Sequence, residues 1–387
     1  MKPKKILLNL LLLLGTLLFS LVVLEMALRF FAPQGLTKSQ IEPDLGWINV
    51  PNTRYVFHHK EFNTPIHYNS YGMRDVEHTR SKSPGVFRIA VLGDSFIEGR
   101  QVPFDSLYSR VLEHLLKEKG LNCEVLNFGV HAYSTDQEIV LLKKYALEFD
   151  PDLVIVSMAK NDVATNVANA ICGLDPNGNL QITPPGAPLG SQIRAWLYRN
   201  SHLFTFLNFR LPKLMSAGAR KRNPRKIFEV GDVAMWSDLT EAQQDLNPTL
   251  MPLYAKVEDP RVDYAKRLME AILKEIDRVC RERDVKFILL INSARFQIQP
   301  QSWDRKLKQF NLAPEEYDHE AVDRWLLDFA AQVGFPAISS AKRFRDLKAR
   351  KGMSFHWRID GHWNSNGHRE AARLTVEVLD SLGLPPS

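Results

Sequence analysis

The sequence predicts an α/β domain with a parallel sheet covered on both faces, attached to one N-terminal membrane-spanning helix. Three observations predict it. Runs of strand length, most of them continuously apolar, recur at 86–92, 123–128, 153–158, 285–291 and 336–339. Stretches with apolar residues spaced by three or four separate these runs, the pattern of strands and helices alternating around a buried sheet. Finally, residues 6–24 (ILLNLLLLLGTLLFSLVVL) are 19 residues without a charge.

As a helix, that first run spans about 28 Å, close to the ~30 Å hydrocarbon core of a bilayer. It lacks the polar stripe of a core helix. Lys2, Lys4 and Lys5 precede it and belong on the cytoplasmic side. A cleaved signal peptide is the competing reading, but the run is long for one and no A-x-A-like site follows. Glu25 and Arg29 lie four apart, a spacing that suits a helix continuing into the interface. The sequence therefore predicts a single-pass protein of the inner (plasma) membrane. Residues beyond about 32 would lie on the periplasmic, extracytoplasmic side.

The partition that follows is an anchor at 1–31, a lead-in at 32–85 and an α/β domain at 86–387. The lead-in holds a turn signal, Asn69-Ser70-Tyr71-Gly72. The domain opens with the strand VFRIAVL and a helix over 104–119. A strand at 123–128, a helix at 135–148 and a strand at 153–158 follow. An insertion at about 166–260 breaks the alternation, and the basic stretch 217–226 within it reads as a solvated or lipid-facing loop. Alternation resumes with a helix at 261–283, a strand at 285–291, a helix at 319–333, a strand near 336–339 and a last helix at 365–382.

Composition excludes several classes. Of 387 residues, 45% are hydrophobic and 24% charged, which excludes wholesale disorder. Three cysteines exclude a disulfide-built scaffold. The net charge of +6 is no nucleic-acid signature, because half the excess sits in residues 1–31.

The chemistry gathers at predicted strand ends, where open α/β sheets bind ligands. Gly93-Asp94-Ser95 follows the first strand, and a serine after a sharp turn is exposed there as a nucleophile; its bland reading is a helix cap. Serine needs a base at neutral pH. Asp360-Gly361-His362-Trp363 offers histidine as base and a carboxylate to orient it. Gly129, ending the second strand, offers a backbone N–H, and Asn161, after the third, a side-chain N–H. Donors at those points could stabilise an oxyanion, though each alone reads equally as turn chemistry. His356, His362 and His368 are spaced by six, which puts no two on one helical face and disfavours a metal site.

These blocks together resemble the SGNH (GDSL-type) hydrolases. Gly93-Asp94-Ser95, Gly129, Asn161-Asp162 and the Asp360–His362 pair follow the family's order over about residues 86–383, the insertion excluded. Ala159 stands where that family has the glycine of GxND, and Asp-x-His replaces the more frequent Asp-x-x-His. Asp-x-His-Trp is similar to the alginate O-acetyltransferase-like branch. The segment His67–Asp75 resembles a stretch of membrane-anchored bacterial members and reads as a hairpin packed on the domain edge.

The resemblance implies a flavodoxin-like three-layer fold. It implies Ser95 as nucleophile, His362 as base and Asp360 as its orienter. Ser95 N–H, Gly129 N–H and the Asn161 side chain would form the oxyanion hole. No cofactor is implied. The expected activity is an acyl-ester hydrolase, an esterase or deacetylase at the cell envelope, acting on an acylated small molecule or glycan. Two alternatives stay open: an O-acyltransferase acetylating exported polysaccharide, which would need a membrane acyl donor, and a non-catalytic glycan-binding protein.

Overall fold

The structure, a computed structural model, describes residues 3–211, 248–257 and 260–384. The basic loop expected at 217–226 lies outside the described residues. Two compact units divide the chain: Met1–Val50 with Pro185–Lys221, and Pro51–Pro184 with Arg222–Ser387.

In the first unit, one helix runs through Pro3–Phe31 with no buried residue. It is long and apolar enough to cross a membrane. Its two hydroxyls are satisfied within the helix. Thr16 Oγ1 donates to Leu12 O and Ser20 Oγ to Thr16 O, each at 2.8 Å, which is how hydroxyls are accommodated in an apolar span. Ser39–Glu42 and Gly46–Asn49 pair antiparallel, and a helix forms over Leu189–Asn200.

The second unit is built on five parallel strands: β1 (Phe87–Gly93), β2 (Cys123–Gly129), β3 (Leu153–Met158), β4 (Lys286–Ile291) and β5 (Ala337–Ser339). Their spatial order is β2-β1-β3-β4-β5, the flavodoxin-like arrangement. Helices lie on both faces: α1 (Tyr108–Glu118), α2 (Thr135–Lys144), α3 (Asp162–Asn169), α4 (Pro260–Glu282), α5 (Ala321–Val333), α6 (Ser340–Lys351) and α7 (Ser365–Ser381). Alternate strand residues Ile89, Val91, Val125, Ile155, Ile288 and Leu290 pack against α1, α6 and α7. The other face meets α2, α4 and α5. Strands covered on both sides are predominantly apolar, which is why these runs show no regular alternation.

Register aligns the carboxyl ends. Gly93 pairs with Gly129 on one side and Ser157 on the other. The loops carrying Ser95, Gly129 and Asn161 therefore leave the sheet at one level. The segment before β1 is sewn onto that end. Arg54–His58 pairs antiparallel with Asn63–His67. Asn69 Oδ1 accepts from Tyr71 N and Met73 N at 3.0 Å, closing the following turn. Buried Arg74 then donates to the carbonyls of Glu98, Gly99 and Val102. Asp75 Oδ2 accepts from Asn127 N at 2.8 Å. The residues expected only to edge the domain thus hold the turn behind Ser95.

Candidate active site

A sharp turn needs room, and Gly93 provides it. A Cβ there would meet Ile97 Cγ1 at 2.5 Å and Ser157 Cβ at 3.2 Å. Asp94 follows as the cap of the one-turn helix Ser95–Glu98, its Oδ1 accepting from Phe96 N at 2.8 Å. Capping therefore falls to Asp94 and leaves the Ser95 hydroxyl free for other work. That hydroxyl lies 2.7 Å from His362 Nε2.

His362 comes from a tight hairpin before α7. Trp357 N donates to His362 O at 2.8 Å and Asn364 N to Phe355 O at 3.0 Å. Gly361 turns the chain at φ +85°, a left-handed value that favours glycine. Trp363 is fully buried against Phe344 and Phe96, with ring centroids at 5.7 and 5.2 Å. It fixes the hairpin to the core. His362 Nδ1 donates to Asp360 Oδ1 at 2.6 Å. An unbroken chain, Asp360–His362–Ser95, results.

Electrostatics suit the arrangement. Burial alone would lower His362, but the Asp360 charge and hydrogen bond, with Asp94 beyond, outweigh it and hold the imidazole above its ordinary value. Burial alone would raise Asp360, and pairing with His362 reverses that. Burial pushes the Asp94 carboxyl up to about 6. His131 is driven well below the usual range, first by burial and then by the Arg100 and His362 charges.

The three expected oxyanion donors fare differently. Ser95 N–H has no partner among the described residues. The half-buried Asn161 carboxamide also has none, and makes no cap bond at the start of α3. Its loop is fixed by its neighbour, since buried Lys160 forms an ion pair with Asp323. Gly129 departs from expectation. Its N–H donates to Asn127 Oδ1 at 2.9 Å, so it is committed to the strand end. Its missing Cβ has another use: one added there would lie 2.2 Å from Glu98 N. The glycine lets the Ser95–Glu98 helix press onto β2.

One residue escaped sequence reasoning. Glu61, in the hairpin before His67, accepts from three successive amides of the acid loop. Its Oε1 takes Arg358 N at 2.9 Å, and its Oε2 takes Ile359 N at 2.8 Å and Asp360 N at 2.9 Å. No motif marks a lone glutamate nearly three hundred positions away in the chain. The other histidines are occupied elsewhere. His356 Nε2 bonds Ser293 O at 3.0 Å, and His368 Nδ1 accepts from Tyr108 N at 3.2 Å.

An "Arylesterase" of Vibrio mimicus is 29% identical over 75 residues, 19% of this chain and 38% of that protein. The chain thus spans well under half of the curated relative it matches. Among solved structures, a two-domain esterase (CEX) active on acetylated mannans shows 11% identity and a TM-score of 0.39, covering 77% of this chain and 50% of that one. The lipase/acylhydrolase from Enterococcus faecalis shows 12% identity and a TM-score of 0.37, covering 76% and 96%. A family model, described as GDSL-like lipase/acylhydrolase, matches residues 91–314, which is more than half of the chain and includes Ser95, Gly129 and Asn161. The chain belongs to the GDSL-like lipase/acylhydrolase family.

Proposed function

We propose that the protein is a serine-dependent acyl-ester hydrolase working through an acyl-Ser95 intermediate. The observation that carries this reading is the continuous Asp360–His362–Ser95 hydrogen-bond chain at the carboxyl end of β1. His362 Nε2 takes the Ser95 proton as Oγ attacks the ester carbonyl. Asp360 holds the imidazole tautomer and stabilises the imidazolium. The oxyanion is met by Ser95 N–H and the Asn161 carboxamide. His362 then protonates the leaving alkoxide. Water, activated by the same base, releases the acid and restores Ser95. The name of the Vibrio mimicus relative agrees with ester hydrolysis.

The Pro3–Phe31 helix, with Lys4 and Lys5 in its first turn, supports a retained anchor and a catalytic unit on the extracytoplasmic side. The acyl group would then come from an envelope glycan or an acylated small molecule. Ser95→Ala tests the chemistry. Release of p-nitrophenol from p-nitrophenyl acetate by the full chain should fall by about 10⁴-fold or more. A variant as active as the parent would sink the assignment. Offering a polysaccharide acceptor in the same assay separates hydrolysis from transfer, because transfer leaves acetyl on the glycan.

A further inference from the structure

The helix Leu189–Asn200 carries an apolar stripe that its own unit does not cover. Leu189, Ile193 and Trp196 are 72%, 52% and 56% exposed. At about 100° per residue they fall within an arc of roughly 60°. Tyr198 lies opposite, and there the helix packs inward. Its ring stands 4.8 Å from Phe204 and 5.1 Å from Phe209, and its carbonyl accepts from Thr37 N at 3.2 Å. The bare stripe therefore faces away from the rest of the unit.

The height of this helix relative to the N-terminal one is set by hydrogen bonds. Glu25 is the first charge after the uncharged run. Its Oε2 accepts from Ser201 Oγ and Leu203 N at 2.8 Å, and its Oε1 from His202 N at 3.0 Å. Arg29 Nη2 donates to Asn200 O at 2.6 Å. Asn200–Leu203 is thus held where the apolar run ends. Trp196 lies four residues back, about 6 Å along the helix. The headgroup zone of one leaflet is roughly 5–8 Å deep. Trp196 therefore lies within about 6 Å of the level of Asn200, a distance comparable to the depth of that zone, which tryptophan favours. Phe30 and Phe31, five and six residues past Glu25, are exposed as well, and Arg199 lies about 60° to one side of the stripe, where anionic headgroups would meet it.

We propose that Leu189–Asn200 is an interfacial helix, its Leu189/Ile193/Trp196 face sunk into the lipid boundary of the leaflet from which Pro3–Phe31 emerges. The proposal rests on reading Pro3–Phe31 as a retained membrane span. The occupant is a lipid surface, because the end of the helix that carries the stripe is hydrogen-bonded to the point where the apolar run ends.

The test uses the full chain and its Trp196→Phe variant, reconstituted into phosphatidylcholine–phosphatidylglycerol vesicles with and without bromine on the upper acyl carbons. The fluorescence difference between the two proteins isolates Trp196. About half or more of that difference should disappear in brominated vesicles. An unquenched difference, from protein that still floats with the vesicles, overturns the proposal while leaving the span intact. A photo-reactive residue at Ile193 that links to lipid supports it; one that links to a second copy of the chain overturns it. Material from the expressing cell that has lost residues 1–31 and no longer floats refutes the span, and the proposal with it.

Discussion

His362 can accept the Ser95 proton only when neutral, and its imidazole is held above the ordinary value of 6.5. The base form therefore appears as pH rises through a value above 6.5, and kcat/KM should show its acid limb there. Asp360→Asn removes the charge and the acceptor that produce the shift. The limb should move to lower pH and kcat should fall by about 10⁴-fold. An unmoved limb in that variant would show that another group sets the profile. Glu61 acts one step further back, as a positioning residue. Glu61→Gln keeps a side chain of equal size but exchanges one acceptor oxygen for an N–H₂ facing the same amides. The loop carrying Asp360 loosens, and misplacement near 1 Å costs roughly 10- to 100-fold. We expect that loss in kcat with KM unchanged, and the His362 limb lowered as well. A loss in KM alone would place Glu61 in substrate binding instead.

At the scale of elements, what was legible followed burial. The strands 153–158 and 285–291 are found within a residue because both faces are buried and leave no other reading. α6 was not found. Its sequence SAKRFRDLKARK buries only Ser340, Ala341 and Phe344, so its apolar period is too thin to register. The lead-in reads in sequence as a linker and short extended pieces, without the pairing of Arg54–His58 with Asn63–His67, since that strand alternates exposed and half-buried residues without a hydrophobic face. Gly129 shows a different failure. A glycine at a strand end suggests an open amide, yet here its value is the space beside Glu98 N. Gly129→Ala forces backbone against a Cβ at 2.2 Å. Overpacking of this kind costs about 1–3 kcal/mol, and the strain falls on the helix that begins with Ser95. Thermal unfolding should shift down, and esterase activity per folded molecule should drop with it. Unchanged melting and activity would mean the two segments can part freely.

Across the whole molecule, the sequence resolves into an apolar N-terminal helix and a sheet domain because each leaves a periodicity that can be read. What it hides is coupling between distant positions, such as Glu61 with Asp360 or Lys160 with Asp323. The largest hidden feature is a group of buried carboxyls beside the carboxyl end of the sheet. Glu138 is fully buried with both oxygens unpartnered among the described residues. Burial, then the charges of Asp94 and Asp136, raise it well above the carboxylate range. Asp162 is raised likewise, by burial first and Glu138 next. A carboxyl whose folded value is raised binds its proton more tightly in the native state. Its stabilising contribution is complete below the unfolded value near 4 and is lost as pH rises through the folded one. Buried His356 and His368 work in the opposite sense, pulled down to about 4 and about 3 by burial. Their contribution is present above the ordinary histidine value and lost as pH falls. The raw melting curve mixes both trends, so the difference between Glu138→Gln and the parent isolates the carboxyl. Glutamine keeps the shape and carries no charge. Its advantage should grow by about 1 kcal/mol or more between pH 5 and pH 8, ~2–4 °C in melting temperature. A difference flat across that range would show that Glu138 stays ionised when folded, with a counter-charge that balances it.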